Sequence, residues 1–164
     1  MFPRKYYIIM KFRNISDLSN EDLKEAPFEF LIMKLNDICL VSLNRKLKEL
    51  DLTINQANFL VVINTEEKLP QSYISQLLNI RGGSVTKALK RLEAKELVKI
   101  YPNPENKSKN IVEITNKGRK TTKEFKTMIE NLENEIFEKY SDEENEKLKI
   151  MLRDIAKGYD ELNY

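Results

Sequence analysis

The sequence predicts a mainly α-helical chain with one small β-hairpin, and three observations lead there. Apolar residues recur at three- and four-residue steps along most of the length. Two short β-prone runs stand close together between residues 97 and 114. Four glycines and five prolines in 164 residues leave little room for long linkers, and 41% hydrophobic residues supply a core.

Residues 2–13 mix Arg4, Lys5, Lys11 and Arg13 with Tyr6, Tyr7, Ile8, Ile9 and Phe12, which suits a basic-aromatic arm on DNA, an element added to a dimer, or upstream sequence if Met10 is the natural start; the dimer role is preferred. NISDLSNEDLKEAP then encodes a short capped helix near Asp17 to Glu25, which Pro27 separates from the next helix. Phe28, Leu31, Leu35, Ile38, Leu43, Leu47 and Leu50 stripe a first long helix. Thr53 and Gln56 form a capping-box pattern opening a helix with Ala57, Leu60, Val61 and Ile63.

Two helical patterns follow, separated by Gly82-Gly83. Ile74, Leu77 and Leu78 mark the first; Val85, Leu89 and Leu92 mark the second. The glycines are expected to form the turn, with Gly83 or Ser84 capping the second helix. At about 100° per residue, Thr86, Lys87, Lys90, Arg91 and Ala94 fall opposite the apolar face. Such a face suits a DNA major groove: cations meet phosphates or guanine edges, and threonine bonds an edge or touches a thymine methyl. An ordinary solvated face has the same composition, so the sequence beyond it matters.

Beyond it, Leu97 to Tyr101 and Ile111 to Ile114 are β-prone runs around the polar loop NPENKSKN, which carries Lys107 and Lys109 at an expected hairpin tip. From Arg81 to Lys109 there are eight basic residues against three acidic ones, although the whole chain is only +2. A basic island on a nearly neutral chain is the footprint of a nucleic-acid surface. The order of elements is a winged helix-turn-helix. Its expected DNA-contacting residues are Ser84, Thr86, Lys87, Lys90, Arg91, Lys107 and Lys109.

The motifs ISQLLNI, SVTKALKRLEAKELV and VEIT resemble the winged-helix domain of the MarR family, the multiple antibiotic resistance regulators. The similarity extends more weakly over residues 28 to 164, through the order and length of the flanking helices. The resemblance implies a homodimeric transcriptional regulator, most often a repressor, on a pseudo-palindromic operator. It also implies a small aromatic or amphipathic effector in clefts between the dimer helices and the DNA-reading part. The alternative is a winged-helix module that contacts another protein and has no operator.

Two departures from the family pattern stand out. Asn106, Lys107 and Ser108 occupy the wing positions where the family often has Asp-x-Arg, and lysine does not reproduce arginine's planar donor geometry. Glu96 stands where the family commonly has glycine, which predicts a somewhat different helix exit.

After Thr115, Phe125, Met128, Ile129, Leu132 and Ile136 stripe another long helix. Ser141 and Glu144 cap the last one, in which Leu148, Leu152, Ile155, Tyr159 and Leu162 recur. From Glu130 onward there are 11 acids and 5 basic residues, a charge suited to a body held away from phosphates. Residues 1–50 are thus expected to form an extension and first dimerisation helix, 51–115 the winged helix-turn-helix, and 116–164 the C-terminal dimerisation helices.

Composition excludes several chemistries. There is no histidine and one cysteine, so Ser-His and Cys-His pairs, histidine metal sites, intrachain disulfides and cysteine zinc clusters cannot form. No enzyme activity and no cofactor are expected. Cys39, between Ile38 and Leu40, is expected to pack as a small apolar residue rather than act as a redox switch. No apolar run approaches 18 residues and YYIIM is too short for a signal peptide, so a cytoplasmic protein without a membrane partner is expected.

Overall fold

A computed structural model of the protein describes residues 15–78, 80 and 82–162. The basic-aromatic stretch before Ile15, and Arg81 in the basic island, lie outside the described residues.

A 3-10 turn, Ile15–Asp17, leads to α1, Asn20–Glu25. Ser19 caps α1 and exchanges hydrogen bonds with Asp22, which satisfies donors that a helix start leaves free. Pro27 precedes α2, Phe28–Leu47, which a 3-10 turn, Lys48–Leu50, ends. Asp51 then takes a left-handed conformation and sends the chain back towards the core. The expected capping box opens α3, Ile54–Glu66: the Thr53 N–H donates to Gln56 Oε1 at 3.0 Å, and the Gln56 N–H donates to Thr53 Oγ1 at 3.3 Å.

Next come β1, Lys68–Pro70; α4, Gln71–Leu77; α5, Gly82–Ala94; β2, Val98–Asn103; and β3, Asn106–Ile114. The strands form an antiparallel sheet in the order β1-β3-β2. Leu69 and Ile100 both pair with Val112 and face inward; Lys68 and Lys99 both pair with Glu113 on the other face. β1 was not legible in the sequence, because three residues with one inward side chain carry no period of their own.

α4 and α5 close on this sheet through Ile74, Val85, Leu89 and Leu92, all with no exposed surface. Each contributes roughly 1.5–3 kcal/mol by leaving water. The same core reaches back to Leu47 and forward to Phe125.

α6, Asn116–Phe137, and α7, Asp142–Glu161, complete the chain. Thr115 joins α6 to the sheet. Its hydroxyl donates to the Glu96 carbonyl at 2.7 Å and accepts the Gly118 N–H at 2.9 Å. A Cβ on Gly118 would collide with the Leu97 carbonyl oxygen, so glycine alone permits this close approach. Ser141 and Glu144 form the capping box of α7, as the sequence predicts.

Candidate nucleic-acid interface

The interface is built on α5, whose inner face is fixed by the core and whose outer face is therefore fixed too. With Val85, Leu89 and Leu92 buried, Ser84, Lys87, Lys90 and Arg91 are exposed and Thr86 is half-buried. The ion pairs among the described residues involve none of Lys87, Lys90, Arg91, Lys107 or Lys109. Their charges are free to meet phosphate.

Two of the three acidic neighbours are occupied elsewhere. Glu93 Oε1 accepts the Ile100 N–H at 3.1 Å, which ties the last turn of α5 to the wing edge. Glu96 pairs with Lys117 at 3.4 Å. Glu96 is thus drawn towards the joint with α6, whereas Glu105 stays exposed in the wing turn.

Several expectations change. Gly82 and Gly83 do not form a left-handed turn: both lie in the first turn of α5, and neither has positive φ. Ser84 is consequently inside the helix, not its cap. Added Cβ atoms would meet little, with Ser75 Oγ at 3.9 Å from Gly82 and nothing within 4 Å of Gly83. These glycines therefore leave the start of the helix bare of side chains.

Lys107 and Lys109 belong to β3 rather than to a loop. Pro104 and Glu105 alone make the turn, and β3 begins at Asn106. The register jumps from Pro102↔Asn110 to Asn103↔Asn106, so Lys107, Ser108 and Lys109 bulge out of the ladder. Asn106 Oδ1 holds the bulge by accepting the Ser108 N–H at 3.1 Å and its hydroxyl at 2.6 Å. Both lysines remain exposed.

The basic island is also divided. Lys95 pairs with Asp51 at 3.0 Å, and its ammonium also donates to the Asp51 carbonyl. Lys99 lies beside Glu113 on the outer sheet face. There Glu113 accepts the Tyr101 hydroxyl at 2.9 Å; this bond, with desolvation and the carboxylate charge, raises the tyrosine pKa above its ordinary value. The uncommitted cations gather on α5 and the wing bulge.

Gln71 was missed by sequence reading. Its Nε2 donates to Thr86 Oγ1 at 2.6 Å, while the Thr86 hydroxyl donates to the Gly82 carbonyl at 3.0 Å. A contact across 15 residues between two helices has no local signature. Cys39 also departs from expectation: on this chain it is exposed, because α2 turns much of its surface away from the core.

Fold and surface define a winged-helix protein with a basic, exposed face on α5. Residues 50–107 match the family model described as the MarR family. Among similar solved structures is the MepR–DNA complex from S. aureus, with 23% identity and a TM-score of 0.71 over 80% of this chain and 98% of that one. MepR described as a transcription regulator of the Staphylococcus aureus multidrug efflux pump MepA matches at 23% identity and a TM-score of 0.67, covering 81% and 98%. A mutant MarR from E. coli complexed with operator DNA matches at 25% identity and a TM-score of 0.69, covering 84% and 99%. No curated protein shows significant similarity.

Proposed function

We propose that the protein is a homodimeric MarR-type transcriptional regulator that represses from a pseudo-palindromic operator and responds to a small ligand. The observation that carries this is the helix α5 surface: Lys87, Lys90 and Arg91 stand uncommitted on a helix whose orientation the core fixes. The bare Gly82-Gly83 start favours close approach of a phosphate, since helix N-termini attract anions. Ser84 and Thr86 add polar contacts beside them, and Lys107 and Lys109 supply a second basic contact from the wing. That MepR and MarR relatives are solved as DNA complexes supports the reading.

The dimer reading is supported by apolar surface outside the core. Phe28, Met33 and Val41 of α2 and Met151, Leu152 and Ile155 of α7 are all exposed on the single chain. Patches of this kind on a soluble protein mark an association surface. In this reading residues 51–115 read DNA, while residues 1–50 and 116–164 hold the two copies together. The protein works in the cytoplasm, where its DNA is; among the described residues no helix is long and apolar enough to cross a membrane.

For the effector, a cleft of about 600 Å³ lies between the end of α2 and α6, lined in part by Leu50, Met128 and Leu132 with Lys46, Lys120 and Lys123. Glu49, Glu124 and Glu135 line it as well, so apolar walls with a rim of mixed charge suit a small amphipathic molecule. A mobility shift at two salt concentrations tests the central reading, using the chain's own upstream DNA and a random duplex. Regulation from an operator requires preference for the upstream DNA at the higher salt; equal, weak binding to both favours a protein-contacting module.

A further inference from the structure

We propose that Gln71 positions Thr86 as a reader of a pyrimidine C5-methyl group, an inference that rests on the DNA-binding reading of α5. Thr86 follows Gly82 by one helical turn and lines a recess of about 320 Å³ shared by Gln71, Ser72, Ser75 and the wing bulge at Ser108 and Lys109. A threonine hydroxyl has one proton. In Thr86 that proton goes to the Gly82 carbonyl at 3.0 Å, and Gln71 Nε2 occupies a lone pair at 2.6 Å.

A hydroxyl held in this way cannot donate to guanine O6 and N7, adenine N7 or thymine O4, the acceptors that the major groove presents. The methyl remains for contact, beside one oxygen lone pair that can only accept, from an adenine or cytosine amino group. Apolar contact with thymine is how the methyl reads sequence.

Gln71 is itself fixed. It is the first residue of α4 and follows Pro70, which ends β1 opposite Ile111 of β3. The sheet thus sets where the amide begins, and the amide sets which side of Thr86 is engaged. Gln71 acts through Thr86, as a positioning residue.

The test is a replacement series in the operator defined by the mobility shift, in which each thymine of a half-site is changed to deoxyuridine, removing only the methyl. Binding is read by fluorescence anisotropy for the wild type and for Thr86→Val, Thr86→Ser and Gln71→Ala. One position should weaken wild-type binding about threefold to fivefold, the worth of one methyl group. Thr86→Val should keep that sensitivity and Thr86→Ser should lose it. Gln71→Ala should reduce it while leaving random-DNA binding unchanged, an effect that a merely structural role would not produce.

Wild-type indifference to every deoxyuridine, or a Thr86→Ser variant that keeps the sensitivity, overturns methyl reading. A Gln71→Ala variant with full sensitivity overturns the positioning role. A wild type without operator preference overturns the regulator reading and this inference together.

Discussion

Glu96 leaves α5 with φ at 61°, a conformation in which a Cβ is strained and glycine is not. Its N–H bonds to the Glu93 carbonyl at 2.8 Å and the Leu97 N–H to the Leu92 carbonyl at 3.0 Å, so the turn closes despite the side chain. The exit therefore keeps the backbone form that glycine would favour. Glu96→Gly is expected to stabilise the protein by about 0.5–1 kcal/mol, since the exposed pair with Lys117 contributes little. Gly118→Ala is expected to do the reverse, costing about 1–3 kcal/mol through overpacking against the Leu97 carbonyl. Urea midpoints check both, and a destabilising Glu96→Gly would remove the strain argument.

At the scale of elements, the helices with local start signals were legible and the pieces tied by distant contacts were not. The capping pairs Thr53-Gln56 and Ser141-Glu144 lie three residues apart, so spacing alone reveals them. The bulge of β3 depends on Asn106 reaching Ser108, and the polar composition of NKSKN gives no strand period. The apparent Gly-Gly turn was misread because composition suggested an interruption where the backbone is helical.

The α7 cap has a pH signature. Hydrogen bonds from the Ser141 backbone and then its hydroxyl lower the Glu144 pKa below the usual 4.5. Stability from a lowered carboxylate pKa is present above 4.5 and is lost as pH falls through the folded value. Glu144→Gln should therefore flatten the acid dependence of thermal stability below pH 4.5. An unchanged acid limb would show that the cap does not contribute to it.

In the proposed complex the wing and α5 divide the contact with DNA. Lys107 and Lys109 sit on a backbone bulge, and Ser108 stands where the family often has the arginine. Lys107→Ala with Lys109→Ala should weaken operator and random binding by a similar factor and lower the salt slope by about one unit per lost phosphate contact. Lys90→Ala or Arg91→Ala should instead narrow the gap between the two DNAs, because edge contacts contribute about 1–3 kcal/mol of discrimination. Isotherms across a salt series distinguish these effects; selective loss of operator preference in the wing variant would reverse the assignment.

At the scale of the whole molecule, α2 and α7 carry apolar surface that the chain's own core does not take up. Tyr159 near the end of α7 has a pKa raised by desolvation and by the charge and hydrogen bond of Glu29, which brings that end close to the start of α2. The stripes were visible in the sequence, but their exposure was not, since periodicity gives a face without naming what covers it. Light scattering is expected to give about twice the 19.3 kDa chain mass at micromolar concentration. Leu152→Glu with Ile155→Glu should return the monomer mass, and a wild type already monomeric would end the dimer reading.

In the proposed assembly two copies, held by their long helices, present two α5 helices to one face of a DNA duplex. Half-site spacing measures this directly, because dimers of helix-turn-helix proteins bind half-sites about one helical turn apart. Inserting about 5 bp between the operator half-sites should abolish operator preference, and inserting about 10 bp should restore part of it. Equal affinity for all three spacings would contradict a dimer that sets two α5 helices on one face of the duplex.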